Sequence, residues 1–352
     1  MSRLPTMSRL PTISDVATAA GVSRQTVSNV LNAPDVVRPE TRDRVLAAVA
    51  ALGYRPHASA RRLRTQQSST IGIRLDPVTD GISGVVLDRF LHALTAQADA
   101  LGLRVMLFTA AGPEDEIAQF RRLADGADVD AFVLTSTFEG DPRTEWLIEH
   151  GQRFVTFGRP WGVDDMEDPQ HLWVDVDGRA GLRAATQHLL DQGLRRVAYV
   201  GWPSPSGTGD DRHAGWLDAM RPTGLGDDEL AGLEARAPEG VPHGAEALRA
   251  VEEATGGSVD GVVCASESLA LGALLAARGR FPVIGYDNTP VAASIGMSSV
   301  DQPLEQVAAG VLELLTGAHG GRVGHDGAPV GDPRHRLLEP RLVVRELQVA
   351  AA

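Results

Sequence analysis

The sequence of 352 residues contains no lysine and a single cysteine, Cys264. One cysteine cannot form an intrachain disulfide or a cysteine metal cluster, and its apolar neighbours predict a buried core thiol. No apolar run reaches about 18 residues, so no membrane-spanning helix is predicted. A long apolar stretch is also missing near the N-terminus, so no secretory signal is expected. These absences favour a protein of the reducing cytoplasm.

All basic side chains apart from histidine are therefore arginines, and they are unevenly placed. Residues 1–66 contain ten arginines against four acidic residues, a net charge of +6, whereas residues 67–352 carry a net charge of −19. A basic first fifth on an acidic chain predicts a localised contact with nucleic acid. The length suits one small module followed by two lobes.

The chain opens with the same six residues twice, over 1–6 and 7–12. Such a duplication needs no structural explanation, and it leaves either Met1 or Met7 as the start. We expect residues 1–11 to be disordered.

Residues 12–55 are predicted to form three short helices. Ser14 and Ser23 are expected to cap the first two helices, with Gly21-Val22-Ser23 as the turn between them, and Pro39 is expected to open the third. Two helices joined by a three-residue glycine turn form a helix-turn-helix. The length of this turn is specific, because it sets the angle at which the second helix meets DNA.

Residues 56–69 are predicted to form a short helix, marginal in isolation, and a polar linker. From residue 70 to residue 346, apolar strands alternate with amphipathic helices in two successive series, which predicts two parallel α/β lobes. Residues 347–352 form a tail. Ligands of such sheets bind beyond the carboxyl ends of the strands. The candidate pocket loops are those after Leu75, Phe108, Thr135, Phe157, Val200, Ala265 and Tyr286.

Several runs of residues resemble the LacI/GalR family of bacterial repressors. The densest are Thr12-Ile13-Ser14-Asp15-Val16-Ala17, Thr26-Val27-Ser28-Asn29-Val30-Leu31-Asn32 and Ala60-Arg61-Arg62-Leu63-Arg64. Looser matches such as Gly285-Tyr286-Asp287 extend the resemblance over nearly all of residues 12–346. It implies an all-α DNA-binding domain joined to a sensor of two parallel-sheet lobes, similar to periplasmic sugar-binding proteins. It also implies a homodimer, with a tetramer left open, on a pseudo-palindromic double-stranded operator.

In that family the chain crosses between the lobes three times. We therefore expect crossings near residues 171, 298 and 321. The N-lobe is then expected at about 70–170 and 299–320, and the C-lobe at about 171–297 and 322–346.

The second helix of the first domain is expected to read DNA, because the N-terminal residues of such a helix reach the major-groove base edges. Arg24 suits guanine and Gln25 suits adenine, and Asn29, one turn further on, favours adenine. A phosphate contact for Arg24 stays open. Further candidate DNA-binding residues, expected mostly as caps or phosphate contacts, are Ser14, Ser23, Thr26, Ser28, Asn32, Tyr54 and His57.

The resemblance also implies a hinge helix that folds on the operator and pairs with its dimer mate in the minor groove. Leu63 matches the residue that wedges open a central base step, and Ala60 matches the small residue that lets the paired helices approach. Without the family, Leu63 is simply the apolar stripe of a short helix.

In the sensor, Arg212 and Asp287 match effector-binding residues of the family. An arginine facing an aspartate suits a hydroxyl-rich ligand, which both donates and accepts hydrogen bonds. A lobe-to-lobe ion pair or a helix cap stays open for each residue. Trp161 is expected either to stack on a sugar face or to cover its loop. The other candidate effector-binding residues are Asp76, Thr109, Ser136, Arg159, Ser266 and Gln302.

These features predict a sequence-specific repressor whose operator affinity is controlled by an effector, in the first place a sugar, through lobe closure and hinge-helix pairing. Family members often carry Asn-Asp where this chain has Ser266-Glu267, and the loop at 76–81 lacks the common Asn-Pro-aromatic pattern. Both departures indicate an effector different from the best-known ones. A nucleobase-responsive, corepressor-dependent regulator stays open, as do a sugar-acting enzyme and an architectural DNA binder.

The enzyme alternative has little support in the sequence. We find no nucleophile elbow, P-loop, paired metal ligands or triad spacing. Gly207-Thr208-Gly209 is expected in a loop with no helix to hold a phosphate, and His319, His325 and His335 match no metal template. No enzymatic activity, metal or cofactor is predicted, and the protein is expected in the cytoplasm, associated with the nucleoid.

Overall fold

The computed structural model describes residues 11–54, 68–76, 84–162, 166–317 and 334–346. The chain divides into two compact units, residues 1–68 and 69–352. The disorder predicted for residues 1–11, the hinge helix predicted within 56–69 and the tail at 347–352 lie almost wholly outside the described residues.

The first unit is helical, as predicted. It contains α1 (Ile13–Ala20), α2 (Arg24–Asn32), a 3-10 turn (Pro34–Val36) and α3 (Pro39–Leu52). The turn between α1 and α2 contains Gly21 in the left-handed region, at φ +63°, which glycine adopts without steric cost.

The cap of α1 differs from the sequence prediction. Ser14 was expected as the N-cap, but this assignment is wrong because α1 begins at Ile13 and Thr12 is the N-cap. The Asp15 carboxylate accepts hydrogen bonds from the backbone N–H and the hydroxyl of Thr12, both at 2.7 Å. A reciprocal cap needs a polar side chain three residues on. Thr12 has Asp15 there, whereas the residue in that position for Ser14 is Ala17.

The cap of α2 is confirmed. The Ser23 hydroxyl accepts from the Thr26 N–H at 3.1 Å, so one of the unpaired donors of the first helical turn is satisfied. The inner face of α2 packs against α1 and α3 in a small apolar core. Its buried members are Val16, Ala17, Ala20, Val27, Val30, Val45 and Tyr54.

The second unit alternates strands and helices, as predicted for an α/β sensor. In chain order its first half contains β1 (Thr70–Arg74), α4 (Gly84–Ala100), β2 (Arg104–Phe108), α5 (Pro113–Asp125), β3 (Ala131–Leu134), α6 (Pro142–Glu149), β4 (Phe154–Phe157), β5 (Trp173–Val176) and α7 (Gly178–Asp191). The second half contains β6 (Val197–Gly201), α8 (Gly207–Met220), a 3-10 turn (Arg221–Thr223), α9 (Asp227–Gly232), β7 (Glu234–Arg236), α10 (Val241–Ala254), β8 (Gly261–Cys264), α11 (Glu267–Ala277), β9 (Val283–Tyr286), α12 (Pro290–Ile295), β10 (Ser298–Asp301), α13 (Leu304–Thr316), β11 (His335–Leu338) and β12 (Arg341–Val343).

The strands form two six-stranded sheets, one in each lobe. The first has the order β11-β5-β4-β3-β1-β2 and is parallel throughout, whereas the second has the order β12-β10-β9-β8-β6-β7 and is parallel except at β12. The central strands are buried on both faces, as expected for parallel sheets covered by helices. Each lobe therefore has its own apolar core.

The three chain crossings lie later in the sequence than expected. The strand Trp173–Val176 pairs with β4 and β11 in the first sheet, so the first crossing follows Val176 and does not precede residue 171. The strand Ser298–Asp301 pairs with β9 in the second sheet, so the second crossing follows Asp301. The third lies between β11 and β12, at residues 339–340, and not near 321. The predicted lobe boundaries are corrected accordingly, since an apolar strand does not encode which sheet it joins.

The segment Gly207-Thr208-Gly209 also differs from its prediction as a loop. It forms the first turn of α8, and the Ser206 hydroxyl accepts from the Gly209 N–H at 3.2 Å. The two glycines weaken the helical pattern of the sequence, but the cap and the packing of Trp216 in the core stabilise the helix.

Two glycines allow α10 and α11 to touch through their backbones. A β-carbon added at Gly272 would lie 1.9 Å from the Val241 carbonyl oxygen, and one at Gly244 would lie 2.1 Å from the Leu269 carbonyl oxygen. We expect Gly272→Ala to lower the free energy of unfolding of the sensor by about 3 kcal/mol, since overpacking against backbone cannot relax by a rotamer change.

Urea unfolding of the full chain measures this effect. Gly232→Ala is the matched control, because its added carbon would lie 3.8 Å from the nearest atom, a methyl carbon of Thr255. Equal unfolding midpoints for the two variants would contradict the close packing of α10 on α11.

Candidate functional site

A cavity of about 270 Å³ lies at the carboxyl ends of the strands, between the two lobes of the sensor. The first lobe contributes Asp76, Val86, Leu87, Thr135, Ser136, Thr137, Phe157, Gly158 and Asp175. The second lobe and the crossover after β10 contribute Trp202, Thr208, Arg212, Asp287 and Gln302. This position agrees with the general rule for ligand crevices of parallel α/β sheets.

Arg212 and Asp287 form the polar wall contributed by the second lobe. Arg212 extends from α8, and its guanidinium lies 3.6 Å from the centre of the Tyr286 ring and donates to the Ala265 carbonyl. The Arg212 Nε atom is buried and has no hydrogen-bond partner within the described part of the chain. The Asp287 carboxylate follows β9 and accepts from Gln302 Nε2 at 2.7 Å. The wall therefore offers both donors and acceptors to a ligand.

Burial changes the ionisation of the cavity carboxylates. Loss of solvent raises the pKa of Asp287 above its usual value, although Arg212 and the hydrogen bond from Gln302 act in the opposite direction. Burial also raises the pKa of Asp175, which Arg159 opposes. A ligand hydroxyl that donates to either carboxylate would favour the ionised form and lower its pKa.

Arg159 joins the two lobes at one side of the cavity. Its Nε donates to Asp175 of β5 at 2.8 Å and its Nη2 donates to Asp211 of α8 at 2.7 Å. The ring of Trp161 packs on the backbone of α8, since a β-carbon placed on Gly207 would lie 2.3 Å from it. Arg159 and Trp161 are therefore lobe-to-lobe contacts in this conformation and are not among the residues that line the cavity.

A second bridge between the lobes starts from α4. Arg89 Nη1 lies 3.3 Å from both the Asp287 carbonyl oxygen and Asp301 Oδ1. Asp287, whose carboxylate lines the cavity, is thus held through its backbone by Arg89 of the opposite lobe.

The predicted effector residues fall into two groups. Five of them line the cavity: Asp76, Ser136, Arg212, Asp287 and Gln302. Thr109 is exposed and lies outside the cavity, because β2 is the edge strand and its carboxyl end lies far from the crossovers. Ser266 caps α11 and donates to Glu239 at 2.8 Å. Because Glu239 also accepts from the indole of Trp202, Ser266 reaches the cavity only through two intervening side chains.

Several cavity residues were not selected from the sequence. Trp202 directly follows β6, one of the strands whose loops were named as candidates, so its position was a usable signal. Asp175 was missed because its strand was assigned to the other lobe. The remaining unselected residues are apolar, glycine or threonine side chains that carry no pattern of their own.

The exposed face of α2 is the candidate DNA-reading surface. Arg24 and Gln25 are exposed in its first turn, and Gln25 Nε2 donates to Asn29 Oδ1 at 3.0 Å. The Ser23 and Thr26 hydroxyls lie 2.9 Å apart. Ser14 is exposed on α1, whereas Tyr54 is 8% exposed and belongs to the core. His57, Ala60, Leu63 and the Asn32 side chain lie outside the described residues.

No helix of the described ranges is long and apolar enough to cross a membrane. In the same ranges, no group of three or more His, Cys, Asp or Glu side chains is arranged to hold a metal ion. His335 stacks on Trp173 in the first sheet, and His319 and His325 lie outside the described residues.

Comparison with known proteins assigns the chain to a family. Residues 12–57 match the family model of bacterial regulatory proteins of the lacI family, and residues 186–346 match a periplasmic binding protein-like domain. The transcriptional regulator CelR of Thermobifida fusca is 33% identical over 94% of this chain and 96% of its own length. The chain belongs to the lacI family. Its relatives in this family are helix-turn-helix transcriptional regulators and not enzymes.

Solved structures of lacI-family proteins share the architecture. A complex of CelR with cellobiose is 30% identical, with a TM-score of 0.65 over 96% of this chain and 99% of that chain. A lac repressor dimer bound to operator and an anti-inducer has a TM-score of 0.75 over 97% of this chain and 100% of that chain. At 22% identity the second likeness concerns the fold alone. The predicted helical domain and paired parallel-sheet lobes are thereby confirmed.

Proposed function

We propose that this lacI-family protein is a cytoplasmic repressor that binds a pseudo-palindromic operator as a homodimer and releases or tightens on it in response to a neutral sugar. The observation that carries the proposal is a cavity lined by both lobes, to which the second lobe contributes Arg212 and Asp287 and the first lobe contributes Asp76 and Asp175. A single ligand that contacts both walls would alter the equilibrium between open and closed lobes.

The charges of the cavity favour an uncharged, hydroxyl-rich ligand. Its ionisable lining consists of Asp76, Asp175, Asp287 and one cation, Arg212. A phosphorylated or carboxylated effector would meet a single lining cation, Arg212, which already neighbours Asp287, whereas sugar hydroxyls can donate to the carboxylates and accept from Arg212. Trp202 and Phe157 add the apolar surface against which sugar rings pack. The CelR relative crystallised with cellobiose supports the same ligand class.

Lobe closure is the proposed switch. The Arg159–Asp211 and Arg89–Asp301 contacts join the lobes on different elements and would break on opening. Ligand binding that adds contacts across the same cleft would stabilise the closed state by its difference in affinity for the two states. Closure would then set the pairing of the two hinge helices in the dimer, where Leu63 and Ala60 are proposed to act.

The proposal is tested with the full-length protein and an operator selected by it from a random DNA library. Operator affinity is measured by fluorescence anisotropy with cellobiose, then with a panel of neutral sugars, phosphorylated sugars and nucleobases. One neutral sugar is expected to change the operator dissociation constant at least tenfold, and by linkage the operator must change the affinity for that sugar by the same factor. A response to a nucleobase or a phosphorylated sugar alone would contradict it.

The binding of the sugar is expected to depend on pH through Asp287. Because burial raises the pKa of this carboxyl and a hydroxyl donor prefers its ionised form, affinity should rise with pH and fall as the solution is acidified through the raised pKa. Asp175 is shifted in the same direction and adds to the effect. Titration calorimetry is run in two buffers between pH 5 and pH 8, at intervals of about one pH unit. It measures the sugar affinity and the number of protons released on binding.

Two variants separate this effect from general acid sensitivity. Asp287→Asn should bind weakly and with a flatter pH dependence. Asp260→Asn alters a carboxylate that accepts from backbone N–H groups at the far end of the second sheet. This variant should keep the sugar affinity and the pH dependence of wild type. Wild-type affinity that grows on acidification would exclude an ionised Asp287 as a sugar ligand.

A further inference from the structure

A closed ring of polar contacts lies in the first lobe, behind the cavity wall that carries Asp76 and Ser136. Its members, in order, are Asp76, Arg74, Glu116, Arg143 and Ser136. Arg74 Nη2 lies 2.6 Å from Asp76 Oδ1, and Arg74 Nε lies 3.3 Å from Glu116 Oε2. Glu116 Oε2 also accepts from Arg143 Nη1 at 2.9 Å. The ring therefore passes from the cavity into the lobe interior through alternating charges.

Arg143 returns the ring to the cavity. Its Nη2 donates to the carbonyl oxygens of Thr135 and Ser136, at 3.2 Å and 3.1 Å, and the Asp141 carboxylate accepts from Nε at 2.9 Å and from the same Nη2 at 2.6 Å. The Ser136 hydroxyl then donates to Asp76 Oδ2 at 3.3 Å. Two cavity residues on different loops are thus joined both directly and through the buried charges.

The burial of this ring is nearly complete at its centre. Glu116 and Arg143 are each 1% exposed. Well-packed apolar side chains of similar volume often match or exceed the stability of a buried ion pair. The Glu116–Arg143 pair is therefore weak evidence for a role in stability, although Asp141, which is 6% exposed, also depends on Arg143 for its counter-charge.

The ring restrains an unusual backbone conformation at Ser136. Ser136 has φ +55°, in the left-handed region, which is strained for a residue other than glycine. Such strain persists where the surroundings hold it, and it concentrates at ligand sites. Here the Arg143 guanidinium holds the strained backbone, because it donates to the carbonyl oxygens of Thr135 and Ser136, which lie on either side of it.

We infer that Arg143 and Glu116 are positioning residues of the effector cavity, which hold the Ser136 hydroxyl and the Asp76 carboxylate in the geometry that meets the ligand. The inference rests on the proposed function in that it takes Asp76 and Ser136 as sugar contacts. Arg143 sets the Ser136 backbone, Glu116 orients both arginines, and Arg74 presents Asp76. Neither Arg143 nor Glu116 touches the ligand.

The test uses full-length protein with both charges replaced, Glu116→Leu together with Arg143→Met. Two readouts are taken: hydrogen exchange of the backbone amides at residues 135–141 without ligand, and the dissociation constant for cellobiose by calorimetry. We expect a folded protein with a lower melting temperature than wild type, because Asp141 and Arg74 each lose a partner charge, and with unchanged operator affinity without sugar. We also expect exchange at least tenfold faster in this loop and a cellobiose dissociation constant raised at least tenfold.

Single variants separate geometry from charge and cover a double variant that fails to fold. Arg143→Lys keeps the charge but lacks the planar fork, so it should not rescue either readout. Glu116→Gln keeps an acceptor for Arg143 and should show a smaller loss of about threefold. Glu313→Gln is the control in the same lobe, because Glu313 pairs with Arg336 away from the cavity and should change neither readout.

The inference would be overturned if the double variant kept the hydrogen-exchange rates and the sugar affinity of wild type. It would also be overturned if Arg143→Lys kept both at wild-type values. If wild-type protein binds no neutral sugar, the proposed function fails, and hydrogen exchange still decides whether the ring holds the loop. The two failures are therefore distinguishable.

Discussion

Replacement of Arg212 by methionine is expected to leave a folded protein that binds its operator normally without sugar and responds only at sugar concentrations about 100-fold higher than wild type needs. Arg212 is the only cation among the cavity-lining residues described, and its buried Nε has no partner in the described chain. Methionine fills similar volume against Tyr286 and Trp202 but removes the donors and leaves Asp287 without its neighbouring positive charge. A charged hydrogen bond contributes about 1.5–3 kcal/mol, so the sugar dissociation constant should rise on the order of 100-fold.

The matched control is Arg236→Met. Arg236 lies in the same lobe, pairs with Asp210 and lies 5.5 Å from the Tyr199 ring, but it does not line the cavity. Its replacement should leave sugar affinity within about threefold of wild type, as expected for a partly exposed ion pair. Sugar titration by calorimetry and operator anisotropy with and without sugar check both variants. Equal effects on sugar affinity in the two variants would assign Arg212 a purely structural role.

Local patterns explain how much of the fold could be predicted. The cap at Ser23, the glycine turn at Gly21 and the alternation of strands and helices each depend on neighbouring residues, and the structure confirms them. The strand Trp173–Val176 was assigned to the wrong lobe because its partners, β4 and β11, are 17 and 162 residues away in the chain. Sheet membership is a non-local property, and all three misplaced crossings follow from it.

The cavity was predictable to the extent that strand ends define it. Asp76, Ser136, Arg212, Asp287 and Gln302 were selected from strand ends and the family resemblance, and they meet in one cavity.

Other contacts depend on the arrangement of one lobe against the other or of one helix against a loop. The bridge from Arg159 to Asp211 and the packing of Trp161 on Gly207 are of this kind. The pair of Arg143 with Glu116 spans 27 residues without any motif, and only their burial in the folded lobe reveals it.

Of the substitutions considered, replacement of Arg24 by alanine is expected to decrease operator affinity most. Arg24 is exposed in the first turn of α2, directly after the cap at Ser23, where a recognition helix meets base edges. A bidentate contact to guanine contributes about 1–3 kcal/mol, and a two-fold dimer uses it twice. The dissociation constant should therefore rise on the order of 1,000-fold, and base preference should disappear at one symmetric pair of operator positions.

The experiment compares the operators that wild type and variant select from a random DNA library, with affinities measured at two salt concentrations. Arg42→Ala is the control, because Arg42 lies on α3 and not on the reading helix. If either arginine binds only a phosphate, its replacement would weaken binding to all sequences alike and reduce the slope of the salt dependence by about two units, one for each subunit of the dimer. Arg24→Ala that keeps every base preference of wild type would therefore reassign Arg24 to the phosphate backbone. Base reading would then rest on Gln25 and Asn29, whose side chains are joined by a hydrogen bond on the same exposed face.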